Sequence, residues 1–122
     1  MLENDKKVEG KSIETVLKIA RQLEKKEAID TIVMDMSKTR LLTDYFVICT
    51  ANSSVHMKSL RDDIVDYLNE LGKQIIYYDR GEGYDWILVD AGDVVIHIFT
   101  KNARQFYDIE HLWIDAERID IK

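Results

Sequence analysis

The sequence predicts an α+β domain, a mixed five-stranded sheet with packed helices in the order α-β-β-α-β-β-β-α. Three observations lead there. Residues 86–100, WILVDAGDVVIHIFT, hold two runs of mostly β-branched or aromatic residues around the polar turn Asp90-Ala91-Gly92-Asp93, the pattern of a β-hairpin. Residues 44–50, DYFVICT, form a strand apolar on both faces, as expected of a strand buried from both sides. Residues 12–27 and 53–72 carry apolar residues at helical spacing.

In chain order, residues 1–11 are charged and lack an apolar run, and read as a flexible N-terminal tail. Residues 12–122 read as a single domain. Ile13, Val16, Leu17, Ala20 and Leu23 make one face of a helix ending near Lys25-Lys26-Glu27, where lysines suit the negative end of the helix dipole. Residues 29–36 alternate and are β-branched, a first strand. After the polar stretch 37–43 and the strand 44–50, Asn52 or Ser53 caps a second helix. Its expected buried stripe is Val55, Leu60, Ile64, Tyr67, Leu68 and Leu71, and Gly72 closes it. Residues 74–78 are a third strand, and the strand–helix–strand order suggests a βαβ unit with parallel strands. The hairpin follows, its Gly92 suited to the positive φ of a tight turn. With Thr100 as N-cap, Ala103, Phe106, Ile109, Leu112 and Trp113 mark a last helix over 102–113. Residues 114–122 suggest no element.

Composition narrows the function classes. The chain has 122 residues, 46% hydrophobic and 33% charged, a globular mixture rather than a disordered one. No run approaches the roughly 20 apolar residues of a membrane span, and the first residues are not a secretory signal. The single Cys49 excludes an internal disulfide and fits a reducing cytoplasm. His56, His97 and His111 lack ligand spacing, so neither a metal nor another cofactor is expected. Residues 1–78 carry 13 acids and 12 bases, and residues 79–122 carry 10 acids and 5 bases, so net charges of −1 and −5 make up the total of −6. Binders of nucleic acid place Lys and Arg against phosphate; the second half of this chain does the reverse. Little direct nucleic-acid binding is expected. The acidic side serves solubility, or meets a basic protein.

Catalytic signals are weak. There is no G-x-S-x-G turn, and Cys49 sits mid-strand, where an inert core role is expected. Gly81-Glu82-Gly83 precedes a strand instead of opening a helix and lacks a Walker lysine. The element order resembles that of nucleotidyltransferases, whose chemistry needs acids converging on Mg²⁺ and a Gly-Ser turn. Asp35, Asp44, Asp90 and Asp93 lie at strand ends, but no Gly-Ser pair occurs. His97 reads as a hydrogen-bonded core histidine. Trp86, leading out of the acidic loop 79–85, is either a lid on the core or an anchor for a partner; residue type favours the lid.

The string Asp44-Tyr45-Phe46-Val47-Ile48, the Asn52-Ser53 start of the second helix with His56 in it, Trp86-x-x-x-Asp90-x-Gly92-Asp93-Val94-Val95-x-His97-x-Phe99, and Ala103-Arg104-x-x-Tyr107-x-x-Glu110-x-Leu112-Trp113 resemble the ribosomal silencing factor (RsfS, or Iojap) family from about Ile29 to Trp113. The loop 80–84 and Ala91 depart mildly from its pattern. The resemblance implies a nucleotidyltransferase-like fold without that active site, and a protein that is not an enzyme. It implies binding to the large ribosomal subunit at ribosomal protein fourteen, a basic partner at the joining face. The small subunit is thereby kept from joining, and translation falls under nutrient limitation. On this reading Trp86 becomes the partner anchor, with Asp85, Tyr84 and Asp90 beside it. Arg104 and Tyr107 serve equally well to pin the last helix to the sheet. Two alternatives stand beside it: a degenerate nucleotidyltransferase holding a metal-nucleotide at Asp44, Asp90 and Asp93, and a homodimer formed through the sheet or a helix face.

Overall fold

Two amphipathic helices and a run of β-branched segments assemble into a six-stranded mixed sheet with helices on both of its faces. The computed structural model describes residues 2–121, with side chains described over 13–121. The elements are α1 (Leu2–Lys25), β1 (Ile29–Asp35), β2 (Tyr45–Thr50), α2 (Ser54–Glu70), β3 (Tyr77–Tyr78), β4 (Trp86–Asp90), β5 (Val94–Phe99), α3 (Lys101–Tyr107), α4 (Ile109–Leu112) and β6 (Glu117–Ile119). The sheet order is β3-β4-β5-β2-β1-β6. β2 and β5 are parallel neighbours, and every other pairing is antiparallel.

Several expectations are corrected. The sheet has six strands, not five, because β6 pairs with β1 through Val33–Ile119 and Asp35–Glu117. Strands β2 and β3 are not neighbours: α2 carries the chain to the far edge, and the meander β3-β4-β5 returns it to lie beside β2. The parallel partner of β2 is therefore β5. α1 is helical from Leu2, through the stretch expected to be a tail; those residues contain no proline and many good helix formers. Met1, the first residue of that expected tail, and Lys122 lie outside the described residues. The helix expected over 102–113 is broken at Asp108, whose left-handed φ of 45° separates α3 from α4. β3 is shorter than the strand expected over 74–78.

The caps follow the sequence. Ser53 Oγ accepts the His56 N–H at 3.0 Å, and Thr100 Oγ1 accepts that of Ala103 at 3.2 Å. Each satisfies a donor that a helix start leaves open. Gly72, past the end of α2, has φ +72°. In the hairpin Gly92 has φ +86°, and the Asp90 carboxylate accepts the Gly92 N–H at 2.9 Å.

One sheet face is sealed by α1 and α2. Val16, Ile19, Ala20 and Leu23 of α1 and Met57, Leu60, Ile64 and Leu68 of α2 pack on Val33, Val47, Cys49, Ile87, Val89, Val94, Ile96 and Ile98. The stripe expected on α2 is misplaced at its ends: Val55 is 78% exposed and Leu71 is also exposed, while Met57, Arg61 and Val65 are buried. Val55 lies in the first turn, before the buried face begins. A smaller cluster covers part of the other face, with Met34, Met36, Phe46, Ile48, Phe99 and Ala103 at its centre and Trp86, Val95, Ile109 and Trp113 around it.

Candidate functional site

The second sheet face is unevenly covered. Because side chains alternate along a strand, the β4–β5 register places Trp86 beside Phe99, Leu88 beside His97 and Asp90 beside Val95 on this face. His97 and Phe99 are buried, whereas Trp86, Leu88, Asp90 and Val95 stay partly exposed. Next to them, α3 presents Phe106, 81% exposed, and Tyr107, also exposed. The result is an open aromatic and apolar shelf on a rigid hairpin.

Trp86 is both lid and surface. Its ring stacks on Phe99 at 4.9 Å and meets Tyr107 at 4.9 Å, while its indole N–H donates to His97 Nδ1 at 3.1 Å. The ring is thus fixed on its inner side and half-buried overall. His97 is buried against Phe46, whose ring lies at 4.5 Å in an edge arrangement. This burial pushes its pKa from 6.5 down to about 4, so the imidazole stays neutral near pH 7.

The other expected site residues are placed differently. Asp90 shares the face of Trp86 at the far end of β4 and closes the hairpin turn. Asp85 is exposed just ahead of Trp86, and its carbonyl accepts the Thr100 N–H at 2.9 Å. Tyr84 packs against the cluster under α1 and α2, so the structure does not bring its ring beside Trp86. Glu82 is drawn toward α2 by Lys58 Nζ at 2.8 Å.

Sequence reasoning missed Arg61. Only 4% exposed, it donates from Nη1 to the carbonyls of Gly81 at 2.5 Å and Asp79 at 3.3 Å, holding the loop that leads into Trp86. An arginine next to Asp62 and Asp63 reads as part of a solvated face, since arginines usually face water; its Nε also donates to Asp62 Oδ1 at 3.0 Å. Arg104 does pin the last helix: Nη1 reaches Thr50 Oγ1 at 2.9 Å and Nε reaches Glu110 Oε1 at 2.7 Å.

Of the aspartates at strand ends, Asp90 and Asp93 have carboxylates engaged elsewhere. Asp93 meets Lys73 Nζ at 2.5 Å, Asp90 holds its own turn, and Asp44 is exposed, its N–H bonded to the Asp93 carbonyl at 2.9 Å. Among the described residues, no three His, Cys, Asp or Glu side chains form a metal cage. Cys49 is buried, and desolvation pushes its thiol up to about 12. No described helix is long and apolar enough to cross a membrane.

Comparison with known proteins connects this chain to a family. Residues 9–122 match the family model described as ribosomal silencing factor during starvation. The chain is 40% identical over 111 residues to the ribosomal silencing factor RsfS of Bacillus subtilis, covering 88% of this chain and 92% of that one. It is 36% identical to the protein of the same name from Chromobacterium violaceum, covering 83% and 84%. A crystal structure of a protein from Chromobacterium violaceum superposes with a TM-score of 0.77 at 36% identity, covering 83% of this chain and 85% of that one. A mouse relative, named mitochondrial assembly of ribosomal large subunit protein 1, is 32% identical over 94 residues, 41% of its own length. The mixed sheet, the packed helices and the agreement along nearly the whole chain place this protein in the ribosomal silencing factor family.

Proposed function

We propose that this protein binds the large ribosomal subunit through the shelf around Trp86 and keeps the small subunit from joining, lowering translation when nutrients run short. The observation that carries this reading is the half-open sheet face, where a fixed tryptophan meets solvent between exposed aromatics on α3 and the aspartates Asp85 and Asp90. Blocking by occupation needs no reacting group. It needs a rigid surface, an aromatic anchor and a charged rim, the anatomy of protein interfaces. The net charge of −5 over residues 79–122 suits a basic ribosomal protein, and ribosomal protein fourteen at the joining face is the partner we assign. Attraction between opposite charges speeds docking and weakens with salt. Trp86 is the anchor, Asp85 and Asp90 form the rim, and Tyr84 contributes by bracing the loop from the other side of the sheet.

Sedimentation with isolated subunits tests this. The protein should co-migrate with the large subunit alone and prevent the pair from joining. Trp86→Ala should weaken large-subunit binding by about 2 kcal/mol or more, as at an interface hot spot, while the circular dichroism spectrum is kept. Equal binding by variant and parent overturns the assignment of Trp86; co-migration with the small subunit overturns the function. A homodimer that buries the same shelf would dissociate on adding large subunits, as light scattering reads.

A further inference from the structure

We infer that His97 is a positioning residue for Trp86, its neutral imidazole acting as the fixed acceptor that sets the indole for docking. This rests on the proposed role of Trp86 as the anchor. Trp86 and His97 lie diagonally across the β4–β5 hairpin, since Trp86 pairs with Phe99 and Leu88 with His97. The spacing lets large side chains on one face reach each other. With Nδ1 accepting the indole N–H at 3.1 Å, a neutral imidazole carries its proton on Nε2.

The second nitrogen is the informative one. His97 Nε2 is buried and makes no hydrogen bond. His56 shows the contrast: its Nδ1 accepts the Asn52 N–H at 2.9 Å, and its Nε2 reaches the Lys26 carbonyl at 2.9 Å. A buried donor left without an acceptor weakens the fold, and the neighbours of His97 are the rings of Phe46, Phe99 and Trp86 and its strand partners Ile48 and Leu88. For folding alone, an apolar ring would serve this slot better. What histidine adds is one acceptor aimed at the indole. Phe99 and Tyr107 press on the ring, and the hydrogen bond adds a directional restraint on its χ1 and χ2 torsions. A side chain already held in place loses less entropy when a partner binds.

The test uses the full chain and purified large subunits. His97→Phe keeps the ring and deletes the acceptor; His97→Asn keeps an oxygen near the position of Nδ1. With Trp113 replaced by Phe, Trp86 is the only tryptophan of the chain, excited selectively beyond the tyrosine absorption. His97→Phe should fold with an unchanged or raised midpoint, give faster local depolarisation of Trp86 fluorescence, and bind large subunits about fivefold more weakly. His97→Asn should restore most of that binding. In a Trp86→Ala background, His97→Phe should change nothing further. Parental affinity for His97→Phe beside weakened Trp86→Ala overturns the positioning role and leaves the docking face standing. An equal loss from His97→Phe with and without Trp86 overturns it too. Parental affinity for Trp86→Ala removes the docking reading and this one with it. Should His97→Phe not fold, His97→Leu takes its place under the same criteria.

Discussion

The two faces of the sheet use similar strands to different ends. Under α1 and α2, Val47, Cys49, Val89, Val94, Ile96 and Ile98 are all fully buried, and the two helices cover them with mainly apolar side chains, Arg61 being the buried exception. On the opposite face, the seal is complete over Ile48, His97 and Phe99 and stops at Trp86, Leu88 and Val95. The first face carries the stability of the domain. The second keeps large aromatic residues at the surface, ordered by one another and by a histidine instead of by a covering helix. A protein that works by occupying space needs both, a rigid body and a surface that folding has not used up.

The largest expected effect tests the sealed face. Ile96→Ala should lower unfolding free energy by about 4 kcal/mol, the usual cost of truncating a fully buried Ile, measured by urea denaturation. A loss below about 1 kcal/mol would mean that this face is not the principal core.

The second prediction concerns His97 beneath the open face. Its pKa is depressed from 6.5 to about 4 by burial, so in acid the unfolded chain takes up a proton that the folded chain refuses. Above pH 6.5 both states are neutral and this cost is absent; it builds as pH falls toward 4, removing on the order of 3 kcal/mol of stability in all. Denaturation midpoints of the parent should fall across that window, and those of His97→Phe should lack this component. Identical pH profiles would mean that the imidazole is hydrated, and that the open face is less tightly built than its geometry says.

Between the faces lies the loop anchored by Arg61. Arg61→Leu removes two bonds to backbone carbonyls and one to the exposed Asp62 carboxylate, and should cost about 2 kcal/mol, with faster amide exchange over residues 79–85. The smallest effect is expected at Lys58. Its pair with Glu82 raises the lysine pKa and lowers that of the acid through their hydrogen bond, but both groups stand in water. Lys58→Ala should leave the thermal midpoint where it is.

The sealed face was largely legible in the sequence, because β-branched runs and helical spacing report burial directly. The hairpin appears where WILV and VVIHIF place it, and the caps Ser53 and Thr100 do as their chemistry suggests. β6 was hidden: Glu117-Arg118-Ile119 is a short charged edge whose only reason to be a strand is the free edge of β1. The break at Asp108 was hidden as well, since the apolar pattern runs across it and an aspartate adopts the left-handed conformation at low cost. The open face could be guessed only at Trp86. Its bond to His97 depends on strand register, which no local pattern states, and the placement of Tyr84 on the other cluster depends on how the loop 79–85 turns.

The parallel pairing of β2 with β5 has a kinetic consequence. Tyr45 meets Val94, roughly fifty residues along the chain, so the centre of the sheet closes only after a long loop has been drawn shut. The hairpin of β4 and β5 needs only a short turn and can form early. During synthesis, the nascent chain has β1 and β2 in hand long before their central neighbour emerges. Until then it carries an unfinished sheet edge made of YFVICT, open to pairing with another chain until the second half arrives.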